Sequence, residues 1–180
     1  IMNMVKKDKL LMQGLINGNA VAENVMTKPT FTSDLKIDDF AFQGEAVGDI
    51  EIKVDNKTDN LLNANVALTG EGNEVNLTGN YKMDDGNLDF NLDLNKLYIK
   101  SIQGFTMGNV TDGTGYLSGN FKILGNASSP KVSGELNFND TGFRITQLNS
   151  FFKTDNEKIT FNVDVAAIIG GSATILHPYR

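Results

Sequence analysis

The sequence predicts an all-β protein organised around an antiparallel sheet. Three observations carry that prediction. Apolar residues recur at every second position through most of the chain. Clusters of Gly, Asn and Asp interrupt these runs at intervals of about 10–13 residues, the spacing of a meander. Helical periodicity is weak everywhere, with room for at most one short helix.

Each element follows from this pattern. Ile50, Ile52 and Val54 share one face, with Glu51, Lys53 and Asp55 on the other. Leu62, Ala64, Val66 and Leu68 repeat the alternation, as do Val75, Leu77, Tyr81 and Met83, and then Leu88, Phe90, Leu92 and Leu94. Gly70-Glu71-Gly72-Asn73 and Asp84-Asp85-Gly86-Asn87 have the chemistry of the hairpin turns between them. Residues 96–110 break phase, and Leu97, Ile99, Ile102 and Phe105 fit one short helix or a twisted strand. Alternation resumes at Leu117, Phe121 and Ile123, passes a turn at 125–130, and continues through Val132, Leu136 and Phe138. Asn139-Asp140-Thr141-Gly142 reads as a further turn, residues 145–152 are ambiguous between helix and strand, and Ile159, Phe161, Val163 and Val165 form the last run. Strands with one dry and one wet face favour antiparallel pairing.

No Pro- or Ser-rich linker divides residues 1–180, which therefore read as a single domain. The pattern begins and ends abruptly, as a piece of a larger β-repeat protein would. Leu77-Thr78-Gly79-Asn80-Tyr81-Lys82 is echoed by Leu117-Ser118-Gly119-Asn120-Phe121-Lys122, marking related units near 75–110 and 115–150. Units of this period belong to arrays in which one unit cannot bury its apolar face alone. Gly48, Gly79, Gly119 and Gly134 fall in the apolar register. They mark either bulges and strong twist, or notches on a face that its own side chains do not fill.

The composition removes most chemistry. Hydrophobic residues make up 40% of the chain, enough for a core, and the net charge of -6 argues against nucleic acid and anionic membrane surfaces. The small basic cluster Lys6, Lys7 and Lys9 reads as a solvated strand end. There is no cysteine, so neither a disulfide framework nor a thiolate metal site is possible. The single histidine, His177, lies near the chain end before Pro178, which disfavours Ser-His-Asp and Cys-His catalysis. Asp84, Asp85 and Asp89 lack the spacing and terminal glutamate of an EF-hand loop and read as a solvated turn, so no metal site is expected. Gly113-Thr114-Gly115 opens a strand and not a helix, which removes a phosphate-loop reading. The absence of tryptophan disfavours a sugar site. No enzyme and no cofactor is expected.

One stretch carries a family resemblance. Its features are Gly115-Tyr116-Leu117-Ser118-Gly119, Lys122-Ile123-Leu124-Gly125, the turn ending in Ser129-Pro130, and Val132-Ser133-Gly134-Glu135-Leu136. They continue with Thr141-Gly142-Phe143-Arg144-Ile145-Thr146-Gln147-Leu148-Asn149 and Thr154-Asp155-Asn156-Glu157-Lys158-Ile159. In this order they resemble the C-terminal repeat region of TamB proteins, of the translocation and assembly module and the wider AsmA-like group, and in particular its Bacteroidetes branch. Residues 88–110 fit the same branch. The chain departs in the apolar, glycine-rich run 166–171.

The resemblance implies an elongated, strongly curved sheet shaped like a taco, with an apolar inner groove. It implies a periplasmic location in a parent protein anchored in the inner membrane, and an outer-membrane partner of the Omp85 type. It implies a lipid conduit that carries phospholipid between inner and outer membranes and supports outer-membrane protein assembly. No catalytic residues belong to the family. Burying an acyl chain is worth about 0.8 kcal/mol per CH₂, so a lipid slides only along an unbroken apolar track. Ile50, Ile52, Val66, Leu68, Leu77, Leu92, Leu94, Leu117, Phe121, Val132, Leu136, Phe138, Phe161 and Val163 are the expected lining for phospholipid acyl chains. The competing expectation is a structural or adhesive β-repeat scaffold with a dry, packed core. Self-association through a bare edge strand or through the open apolar mouth is expected.

Overall fold

Alternating residues pair into one long meander. The computed structural model describes residues 5–6, 9–10, 12–24, 26, 29–58 and 60–164. Val165, the run 166–171 and His177, and the side chains of Val163, Lys6, Lys7 and Lys9, lie outside the described residues. Among the described residues, β1 (Val5–Lys6) and β2 (Lys9–Leu10) pair with each other. The main sheet then runs in chain order: β3 (Met12–Glu23), β4 (Thr30–Phe42), β5 (Glu45–Asp55), β6 (Leu61–Gly70), β7 (Asn73–Lys82) and β8 (Asn87–Tyr98). It continues through β9 (Val110–Asn126) and β10 (Lys131–Ile145) to β11 (Ser150–Thr154) and β12 (Lys158–Asp164). Among the described residues every pairing is antiparallel, and the curved sheet of ten strands does not close on itself.

β11 and β12 are one interrupted return pass. β11 pairs with the C-terminal half of β10 and β12 with its N-terminal half, and Phe138 N–H donates to the Glu157 carbonyl (2.8 Å) where residues 155–157 jog. Between β8 and β9 the chain forms α1 (Ile99–Gln103) and a 3₁₀ turn (Gly104–Thr106), which selects the helix reading of the phase break. The other ambiguous stretch, 145–152, divides into the end of β10, a second 3₁₀ turn at 146–148 and the start of β11.

Two expectations need correction. Asn139-Asp140-Thr141-Gly142 is not a hairpin turn but lies inside β10, where the register against β9 slips at Asp140 and Thr141. Asp140 takes a left-handed conformation (φ 47°) and Thr141 is fully buried. A bulge and a turn ask for the same residue chemistry, and pairing with β9 on both sides of the slip holds the strand together. Met83, taken as the last apolar residue of its run, lies beyond β7 in the turn and is exposed.

The register slips lie toward one end of the sheet. They fall at Gly14, at Asp38 and Asp39, at Val47, at Asn95 and around Asp112 and Gly115, as well as at Asp140. Bulges bend the strand that carries them and increase its twist. α1 sits at this same end, where Asn73, of the same parity as Val75 and Leu77, is buried and bonded to Ser101 of the helix. The helix therefore covers the apolar side of the sheet here.

Candidate apolar groove

The register turns alternating residues into continuous rows. Ile16 pairs with Ile37, Ile37 with Ile50, Ile50 with Leu68 and Leu68 with Val75. The row continues from Val75 to Leu94, Gly119, Leu136 and Ile159. A second row starts at Gly18 and Leu35 and passes through Ile52, Val66, Leu77 and Leu92. It ends at Phe121, Gly134 and Phe161. A third links Val54, Ala64, Gly79 and Phe90 to Ile123, Val132 and Val163. At strand spacing, nine passes give the first two rows a length of about 38 Å and seven passes give the third about 29 Å.

All fourteen expected lining positions share this face by register. Twelve fall in the three rows, and Leu117 and Phe138 pair with each other one step nearer α1. Sequence reasoning missed Ile16, Leu35 and Ile37, and the expected lining left out Val54, Ala64, Val75, Phe90, Ile123 and Ile159, which alternation had placed on the apolar face. Their alternation was the available signal; which residues stand opposite one another emerges only from strand pairing.

Most of this face is not closed. Among the described residues, the buried hydrophobic side chains are Val47, Leu94 and Ile99, all at the α1 end. Asn73 knits that end together: its Nδ2 donates to the Val47 carbonyl and to Ser101 Oγ, both at 2.8 Å, and its Oδ1 accepts from Tyr98 N–H at 2.8 Å. Gln103 Nε2 donates to Glu45 Oε1 (2.8 Å), while its Oε1 accepts from Gly113 N–H (2.9 Å). Phe105 stacks on Phe42 at 4.5 Å. Away from this small core, Ile52, Val66, Leu77, Leu92 and Phe121 are only half-buried, and Ile16 is exposed.

The in-row glycines have a packing role. A Cβ on Gly79 would collide with the Asp89 carbonyl and crowd the Phe90 ring, and one on Gly134 would collide with the Asn120 carbonyl and crowd Phe121. The notch is thus filled from the neighbouring strand, whose aromatic side chain lies over the bare backbone. The rings of Phe121 and Phe161 meet at 5.7 Å across Gly134.

The opposite face is polar. Asn120 Nδ2 donates to Asp93 Oδ1 (2.5 Å), Lys122 Nζ donates to the Asp89 carboxylate and to Asn91 Oδ1 (3.0 Å), and Lys158 pairs with Glu135 (2.9 Å). These exposed pairs contribute about 0–1 kcal/mol each. They keep the outer surface wet without adding much stability. Asp84 and Asp85 are engaged in turn hydrogen bonds, their carboxylates accepting from Asp85 N–H (2.9 Å) and Asn87 N–H (3.0 Å). Among the described residues no cluster of His, Cys, Asp and Glu has the makings of a metal site.

The family model described as the TamB C-terminal domain matches residues 67–164, more than half of the chain. The match extends the resemblance toward the N-terminus, into β6, and ends with β12. No curated protein and no solved structure matches the chain.

Proposed function

The chain belongs to the TamB family, whose members serve the translocation and assembly module, and from that premise we propose that it is a segment of a periplasmic lipid conduit. Phospholipid acyl chains lie along the apolar rows and pass from pass to pass of the sheet. The parent protein is anchored in the inner membrane, is of the Bacteroidetes type, and meets an Omp85-type partner at the outer membrane. The observation that carries this reading is the set of unbroken apolar rows on a sheet that does not close.

The physics fits such cargo. Apolar rows offer burial without directional hydrogen bonds, so no single position traps the chain. An open lip leaves a charged head group in water, where its desolvation costs nothing. The experiment is native mass spectrometry of the purified chain together with photocrosslinking to phospholipid. Wild-type protein retains phospholipid, and the folded Leu92→Arg/Phe138→Arg double variant loses the crosslink. A dry wild-type protein, or crosslinking unchanged in the double variant, rejects the conduit and favours a scaffold.

A further inference from the structure

The two long sides of the apolar face are built differently. Along β8 the side chains open step by step: Leu94 is buried, whereas Leu92, Phe90 and Leu88 are half-buried. α1 closes the Leu94 side, reaching from β9 to β5, with Ile99 and Val47 buried there as well. The Asn73 bonds to Ser101, Tyr98 and Val47 tie that side shut. Among the described residues no helix stands on the other side, where the strands end in turns that include 56–58, 83–86 and 127–130.

A fourth, shorter row runs beside these turns. Leu62 pairs with Tyr81, Tyr81 with Leu88 and Leu88 with Gly125. Tyr81 is half-buried, and its hydroxyl reaches the turn, 3.8 Å from where a Cβ on Gly86 would stand. Tyrosine suits a boundary that is apolar on one side and wet on the other. Just beyond it, the exposed Lys57, Lys82, Asp84, Asp85 and Lys131 bring charge of both signs. Leu94 and Leu88 stand about 20 Å apart along the strand. One layer of bilayer tails is about 15 Å deep, half of the hydrocarbon core, so lipid tails fit between the closed side and the turns. Resting on the conduit reading, we infer that lipids travel with their head groups along the turn side, at the rim made by Tyr81 and the turns, and that α1 bars head groups from the other side. At the rim a charged head group stays in water, whereas on the α1 side it would enter a buried network whose polar groups are already paired.

The test uses the unaltered chain and two photoreactive phosphatidylethanolamines, one with the reactive group on the head group and one with it on a tail. Adducts are located by peptide mass spectrometry. Head-group adducts fall severalfold more often on residues 81–88 and 125–131 than on 70–74 and 97–109, while tail adducts fall on the rows between. Asn73→Ala, checked as folded by circular dichroism, unties α1 and gains head-group adducts on that side. Head-group adducts spread evenly over both sides, or gathered at α1, overturn the inference, while tail adducts on the rows leave the conduit standing. A folded Asn73→Ala variant with the wild-type distribution overturns α1 as the barrier. No adduct from either lipid rejects the conduit, and the inference with it.

Discussion

Phe121 and Phe161 stand on strands that do not pair with each other, yet their rings meet at 5.7 Å because Gly134 lies between them. The glycine is a spacer that lets two aromatics two strands apart behave as neighbours. Its φ of 153° is itself unfavourable for a side chain. Gly134→Ala is therefore expected to cost about 1–3 kcal/mol, read as a lower urea midpoint. Phe161→Leu, which keeps the backbone and loses only the ring contact, is expected to cost less. Equal losses from both would show that the backbone conformation is not the constraint.

The contrast between the closed α1 end and the open rows predicts unequal costs for the same truncation. Leu94→Ala falls in the small core and is expected to cost about 2–5 kcal/mol. Leu77→Ala, in the adjacent row, removes a side chain that is only half-buried. It is expected to cost less than half as much in chemical denaturation. Equal costs would mean the rows are sealed in solution.

Asn73 holds three partners at once. Asn73→Ala leaves the Val47 carbonyl, Ser101 Oγ and Tyr98 N–H without their bonds in a buried site, each worth about 1–3 kcal/mol when unsatisfied. Amide exchange should accelerate first in α1, because these bonds tie the helix to the sheet. Uniform acceleration across all strands would place the Asn73 contribution elsewhere.

A pH effect comes from the bulge of β4. The hydrogen bond from Lys36 is the main cause of a lowered Asp38 pKa, with Asn17 adding to it, and the same bond with Asp38 raises the Lys36 pKa. A lowered carboxyl pKa stabilises the fold above the ordinary value of 3.8 and ceases to do so as pH falls through the lowered one. The Lys36 contribution is present below 10.5 and is lost as pH rises through its raised value. Asp38→Asn should flatten both limbs of the stability profile, and high salt should shrink the difference because the pair is exposed. Identical acid limbs in the two proteins would remove Asp38 from the account.

The rows were legible wherever alternation ran unbroken, from Ile50 to Val54 and on through Leu94, because a period of two assigns a face without knowledge of the partner strand. Where a bulge inserts an extra residue, parity flips and the local pattern misleads. Asp38 and Asp39 interrupt the alternation of Leu35 and Ile37 and hide β4, while Asp140 makes the middle of a long strand resemble a turn. α1 was ambiguous because five residues are too few to show a period. Its existence depends on Asn73 and Gln103 contacts that no local pattern encodes.

α1 touches β9, next to it in sequence, and also β5, with β6, β7 and β8 lying between the two in the sheet. Mechanically it is a strut. It fixes the chord between β5 and β9 and with it the curvature of the middle of the sheet, while β3 on one side and the β11–β12 pass on the other are cantilevered from that braced span. Bending motions of this single-layered sheet should grow outward from the strut, so the apolar face is stiff at its centre and compliant toward its edges.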